Sequence, residues 1–325
     1  MILPRRKFLH LAAGAVALPA VSRVSWAETY PSQPVRVIVG FAAGGPNDIL
    51  ARLIGQWLSK RLGHPFVIEN RPGAGSNIAT EAVVRAPPDG YTLLLVGSPN
   101  AINATLYDRL NFNFIRDIAP VASFMRGALV LAVHPSVPAR TLPEFIVYAK
   151  ANPGKLSYAS GGVGGITHIT AELFKMMAGV EMVHVPYRGV APALTDLLAG
   201  QVQALFANPA QCIPHIGAGR LRALAITTTA RSESLPGIPA LGEVVPGYEA
   251  SSFFGFGAPR NTPGNIIDKL NTHINAILAD PEIKARIADL DGAILVGSPA
   301  DFGQLVAQET QKWEKVIHAA GIKAE

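Results

Sequence analysis

Along this chain, short β-branched runs alternate with stretches whose apolar residues recur at helical spacing. Residues 35–41, 66–69, 91–97, 129–134, 156–160, 182–187, 202–208 and 221–227 read as strands. Between them, Ile49, Leu50, Leu53, Ile54, Trp57 and Leu58 fall on one helical face, with Gly63 as a C-terminal stop. Similar patterns at 78–85, 142–150, 169–177, 193–198, 266–278 and 302–318 predict further helices. Strands joined through helices run parallel, so the pattern predicts an α/β chain with mainly parallel sheets flanked by helices.

Regular patterning lapses at two places, 123–127 and 246–252. If the chain crosses between lobes at both, residues 28–126 plus 253–325 form one lobe and 127–252 the other. Each lobe then holds one glycine-rich strand-to-helix turn: Phe41-Ala42-Ala43-Gly44-Gly45-Pro46-Asn47-Asp48 in the first, Ser160-Gly161-Gly162-Val163-Gly164-Gly165-Ile166-Thr167-His168 in the second. A helix start leaves amides unpaired and carries a partial positive charge, and glycine lets a ligand approach the main chain. Two such turns at the carboxyl ends of strands predict one anion, a carboxylate by preference, held in the cleft between lobes. Neither turn ends in Gly-Lys-Ser/Thr or spells Gly-x-Gly-x-x-Gly, so nucleotide phosphate loops are excluded.

Composition narrows the class. Arg5-Arg6-Lys7-Phe8-Leu9, a weakly apolar stretch and Ser25-Trp26-Ala27 read as an export signal over residues 1–27, removed after Ala27. The paired arginines give it a twin-arginine character, with Pro4 where Ser or Thr is usual. Without that leader the formal charge falls from +5 to about +1, and the remaining basic residues are scattered. Nucleic-acid binding is thereby excluded. Cys212, the single cysteine, lies in an apolar stretch and reads as a buried structural thiol.

No catalytic apparatus is legible. The Ser160 turn lacks the Gly-x-Ser-x-Gly elbow, and the histidines at 134, 168, 184, 215, 273 and 318 are isolated in sequence, with no metal-ligand spacing. The reading is therefore no enzyme, no metal and no cofactor. Thr167 either caps its helix or donates to a ligand, while His168 at a helix start reads as a neutral structural imidazole. Asp48 reads as an electrostatic or capping partner of the first helix start, Arg188 as either a carboxylate clamp or a solvated cation, and Asn208 as a donor and acceptor suited to a hydroxyl or second carboxylate. The cluster Phe253-Phe254-Gly255-Phe256 reads as core near the lobe crossing.

Several segments read together carry a resemblance: Tyr30-Pro31-Ser32-Gln33-Pro34-Val35-Arg36, Ala43-Gly44-Gly45 with Asp48, Glu69-Asn70-Arg71-Pro72-Gly73-Ala74-Gly75, and Pro88-Asp89-Gly90-Tyr91-Thr92-Leu93-Leu94. Tyr158-Ala159-Ser160-Gly161, His184-Val185-Pro186-Tyr187-Arg188-Gly189 and Gly219-Arg220-Leu221-Arg222-Ala223-Leu224-Ala225 follow in order. Over essentially the whole mature chain this resembles the substrate-binding proteins of tripartite tricarboxylate transporters, the TctC or Bug type. The resemblance implies a two-lobed periplasmic-binding-protein-like (type II) fold, monomeric, capturing a small carboxylate and handing it to membrane permease subunits. It places Phe41, Ala43, Gly44, Gly45, Ser160, Gly161, Gly164 and Thr167 on the ligand, with Ser98 and Asn208 added. Gly40 stands where the family usually has Pro, and Ala207 where Asp is common, which disfavours a ligand bearing an ammonium group. A partner of a membrane sensor, or an enzyme on the same fold, are the competing readings.

Overall fold

The computed structural model describes residues 30–324; the export segment read at 1–27 lies outside them. In chain order the first part contains β1 (Val35–Val39), α1 (Pro46–Leu62), β2 (Phe66–Asn70), α2 (Asn77–Val84), β3 (Thr92–Gly97), α3 (Ser98–Leu106), α4 (Phe114–Asp117) and β4 (Ile118–Gly127). The chain then enters β5 (Val130–Val133), α5 (Leu142–Ala151), β6 (Leu156–Ser160), α6 (Ile166–Ala178), β7 (Met182–Pro186), α7 (Val190–Leu198), β8 (Ala204–Ala207), α8 (Pro209–Gly217) and β9 (Arg222–Ile226). It returns through β10 (Ser252–Pro259), α9 (Gly264–Leu278), α10 (Pro281–Asp289), β11 (Gly292–Ile294) and α11 (Pro299–Ala320).

These strands form two sheets and hence two lobes, ordered β11-β4-β10-β3-β1-β2 and β7-β6-β8-β5-β9. β1, β2 and β3 pair in parallel, as do β6, β7 and β8, because each is joined to the next through a helix. β10 and β5, the strands entered from the opposite lobe, run antiparallel to both their neighbours. The sheets are therefore mixed: a crossing supplies the reversed strand β5 in the second and β10 in the first, where the edge strand β11 is also antiparallel to β4.

The faces of the first sheet sort by period two. Val35, Val37 and Val39 join the core beneath α1 and α9, with Leu50, Ile54, Leu58, Leu270 and Ile274. Ile38 faces the other way, into a second core that gathers α2, α3 and α11 and continues through Phe145, Phe174 and Phe206 of the second lobe. Helix α11 packs against both α3 and α6, and its Trp313 is fully buried, so one apolar cluster spans both lobes. Polar ties reinforce the crossings: the Leu129 amide donates to Thr227 Oγ1 at 2.9 Å, and Lys312 on α11 reaches Glu249 Oε2 at 2.9 Å and Glu309 Oε1 at 2.7 Å.

Four helices and three strands depart from the sequence pattern. α3 is hidden because its inward face carries Asn100 and Asn103, which bond Gly97 N and Thr80 Oγ1, and Gly75 O and Asn77 Oδ1, respectively. Internal Pro214 masks α8, α4 is four residues long, and only Ile283 and Ile287 of α10 are buried. β4 contains Pro120 and runs through the segment that reads as a lapse, while β11 has three residues. β10 is the strand whose aromatics read as core: Phe253 and Phe256 are fully buried, and the Phe256 ring meets Phe124 edge-on at 5.1 Å.

Glycine within β10 answers to close approach. A Cβ on Gly255 would lie 2.4 Å from Ala122 O and 2.3 Å from Phe302 Cζ, at a register shift against β4. Gly255→Ala is expected to destabilise the protein by about 3 kcal/mol through overpacking, measured by equilibrium denaturant unfolding.

Candidate functional site

Both glycine turns leave the carboxyl ends of parallel strands, the first after β1 and the second after β6, and each opens a helix. In the first turn, Ala43 and Gly44 are exposed, Phe41 and Gly45 half-buried, and Gly44 adopts φ +81°. Gly45 is the extended N-cap of α1 and Pro46 its first residue, so no side chain shields the helix start. The Phe41 ring packs on the first core, and its carbonyl accepts from Asn70 Nδ2 at 3.0 Å.

Asp48 organises this turn. Its buried carboxylate accepts from Gly44 N at 2.9 Å, Arg52 Nε at 2.9 Å and Asn70 Nδ2 at 2.9 Å. Arg52 first, with the Gly44 amide and Asn70, holds the Asp48 carboxyl down to about 2, against the desolvation that opposes it. Asp48 thus ties back the turn before the N-cap and does not cap the helix itself, and the Gly44 amide is committed to it. The first-turn amides of Asn47 and Asp48 precede any helical acceptor and point out of the helix start.

The second turn is bonded to itself. Gly161 N donates to Thr167 Oγ1 at 2.9 Å, Gly162 N to Ser160 Oγ at 3.2 Å, Gly164 N to His168 Nδ1 at 3.0 Å and Gly165 N to Gly162 O at 3.2 Å. Thr167 therefore does not cap its own helix; its lone pair holds the preceding turn at Gly161, and its hydroxyl proton stays available to an acceptor. The donors left for a ligand are that hydroxyl and the first-turn amides of Ile166 and Thr167 on α6. Gly164, at φ +70°, lies so close to α3 that a Cβ there would stand 2.2 Å from Leu106 Cδ2. The second-lobe turn thus touches the end of a first-lobe helix whose start follows β3.

Histidines isolated in sequence are brought together here. His168 and His184 stack with centroids 3.8 Å apart and planes 8° apart, and His184 Nε2 lies 2.7 Å from Ser160 Oγ. Burial, then the charges of His184 and Lys175, lowers His168 to about 3, so this imidazole is neutral. Burial also lowers His184. Sequence separations of 16 and 24 residues conceal the pair and the Ser160 contact, which parallel pairing of β6 with β7 creates by setting Tyr158 opposite His184. Ser160 is fully buried, which removes it from substrate access despite its histidine partner.

Two further candidates are engaged elsewhere. Ser98 is buried at the start of α3, where its Oγ accepts from Phe253 N of β10 at 3.2 Å. Asn208 caps α8 by accepting from Ala210 N at 2.8 Å, and its Nδ2 donates across to Leu290 O of the other lobe at 3.2 Å. Each end of that amide makes one bond to the protein, so Asn208 is held as a cap and as a tie between the lobes. Ala207 is fully buried beneath α7 and α8, Arg188 is exposed, and Tyr187 is tethered to Asp196 Oδ2 at 2.6 Å. Cys212 is buried, and burial pushes its thiol up to about 12.

This two-lobed α/β fold is that of periplasmic binding proteins of the TctC type, BugD among them. The profile described as "Tripartite tricarboxylate transporter family receptor" matches residues 50–322. The chain belongs to that family. It is 35% identical over 318 residues to Protein BugT of Bordetella pertussis, covering 97% of this chain and 96% of that protein. Among solved structures, a Rhodopseudomonas palustris protein with adipate superposes with a TM-score of 0.79 at 38% identity, covering 90% of this chain and 99% of that one. MatC from Rhodopseudomonas palustris, with bound malate, gives a TM-score of 0.74 at 32% identity, with coverages of 89% and 100%.

The Asp48 network sets an acid limit on the first turn. Because its folded pKa lies near 2, below the ordinary 3.8, its stabilisation is complete above the ordinary value and is lost as pH falls through about 2. Asp48→Asn is expected to cost about 2 kcal/mol at pH 7 and to flatten the decline in thermal midpoint between about pH 4 and pH 2, followed by calorimetry.

Proposed function

We propose that this protein is a periplasmic receptor that captures a small dicarboxylate between its lobes and delivers it to the permease subunits of a tripartite tricarboxylate transporter. The observation that carries this reading is the meeting of Gly164 with Leu106, which brings the second glycine turn onto the first lobe. Helix starts from opposite lobes can then address one anion, and their dipoles add to the hydrogen bonds. Relatives carrying adipate and malate support the ligand class.

Capture on this reading is electrostatic and backbone-led. The amides of Asn47 and Asp48 serve the ligand from α1, and those of Ile166 and Thr167, with the Thr167 hydroxyl, serve it from α6. The amides of Gly44, Gly161, Gly162, Gly164 and Gly165 stay inside their turns, where they fix the shape of the cradle. Neither helix start carries a cation, so affinity depends on both being presented at once, and the ligand favours the closed arrangement. Membership of a transporter receptor family supports delivery to a membrane partner, and among the described residues no helix is long and apolar enough to cross a membrane.

A ligand bound only by the folded state raises its melting midpoint, by about 2.7 kcal/mol of stabilisation at a hundred times Kd. Four- to six-carbon dicarboxylates are expected to raise it and amino acids to leave it unchanged, in a thermal-shift screen followed by calorimetry. The absence of a shift with any carboxylate would overturn the reading. Gly164→Val, which forces a β-branched residue into positive φ and against Leu106, is expected to weaken dicarboxylate binding at least about tenfold. Unchanged affinity in that variant would remove the second turn from the site.

A further inference from the structure

We propose that His168 is the positioning residue of the second glycine turn: its unprotonated Nδ1 fixes the Gly164 amide, and carboxylate capture requires that tautomer. This rests on the capture reading above and adds a residue that touches the turn rather than the ligand.

The geometry assigns the tautomer. Gly164 N donates to His168 Nδ1 at 3.0 Å, so the neutral ring carries its proton on Nε2, which faces Glu172 Oε1 at 4.0 Å. That carboxylate is itself held by the Tyr158 hydroxyl and by Lys175 Nζ at 2.7 Å. His184 secures the other end of the turn through Ser160 Oγ at 2.7 Å, and Ser160 in turn accepts from Gly162 N. Stacking of the two rings at 3.8 Å, continued by Tyr158 at 4.9 Å from His184, fixes the planes in which both nitrogens point.

The surroundings keep the ring uncharged. The facing ionisable groups are Tyr158 on β6, His184 on β7, and Glu172 and Lys175 on α6 itself. Helix α11 brings Lys312 and Lys315 only to the far half of α6, beside Leu173, Met176 and Met177. Lys175 neutralises Glu172, which leaves desolvation and the adjacent imidazole to oppose protonation. Below the ordinary histidine range the unfolded chain binds protons that folded His168 refuses, so stability falls as pH falls from about 6.5. Loss of the acceptor would strand the Gly164 amide in a buried turn and release the backbone that presents Ile166 and Thr167.

Two variants separate positioning from bulk packing. Asn at 168 offers Oδ1 where Nδ1 stands and does not titrate; Leu removes the acceptor. With succinate and adipate as probes, His168→Asn is expected to bind within about threefold of the parent and His168→Leu about tenfold or more weaker. The Asn variant should also lose stability less steeply between pH 6.5 and 4. Long-range 15N–1H correlation in the unliganded protein is expected to show His168 protonated at Nε2 alone. Parent-like affinity in the Leu variant, or a proton on Nδ1, overturns the proposal. If the parent binds no carboxylate, capture fails, and the nitrogen spectrum still decides whether His168 holds the turn.

Discussion

The antiparallel insertion of β10 between β3 and β4 is the constraint from which the rest of this molecule follows. The strand arrives from the second lobe and is locked into the first lobe's sheet by backbone hydrogen bonds on both edges, so the returning crossing is anchored by a ladder rather than by side-chain contact alone. Space for it exists only because Gly255 and Gly257 carry no Cβ against Ala122, Phe302, Ile118 and Val96. Its Phe253 amide pins Ser98, fixing where α3 begins and, eight residues on, where Leu106 ends beneath Gly164. A bond from a strand amide to a serine hydroxyl beside the crossing thus helps determine how a loop in one lobe meets a helix in the other.

Much of this was legible from periodicity. The parallel units β1-α1-β2 and β6-α6-β7 announce themselves by β-branched runs, helical stripes and glycine punctuation, and Gly63 does end α1 with φ +76°. What escaped is where tertiary demands replace apolar pattern. The inner face of α3 is asparagine because it must bond a backbone that bends around Gly75 and Gly97. β4 hides behind Pro120 and its bulged pairing, and β10, whose aromatics read only as core, behind glycines that interrupt a strand pattern.

The candidate site was legible in kind and less so in detail. Which turns open helices is a local property, so both appear in the sequence. Which amides remain free is not, since it depends on acceptors such as Asp48, Thr167 and His168 folding back four to six residues. Five glycine amides, those of Gly44, Gly161, Gly162, Gly164 and Gly165, are kept by the protein for itself. Asn208 shows the converse: a versatile polar residue at a strand end is drawn into contact with Leu290 across the lobes. The His168–His184 stack depends on strand register, which no spacing rule reports.

The solitary thiol has a practical meaning. Cys212 sits sealed under α7 and α8, with an ionisation range far above neutral, and thiolate is the form that reacts. Maleimide dyes would therefore ignore the native chain and couple only to a cysteine installed on the surface. With one environment-sensitive fluorophore beside a lobe crossing, the molecule becomes a reagentless optical sensor that needs no prior removal of its own sulfur.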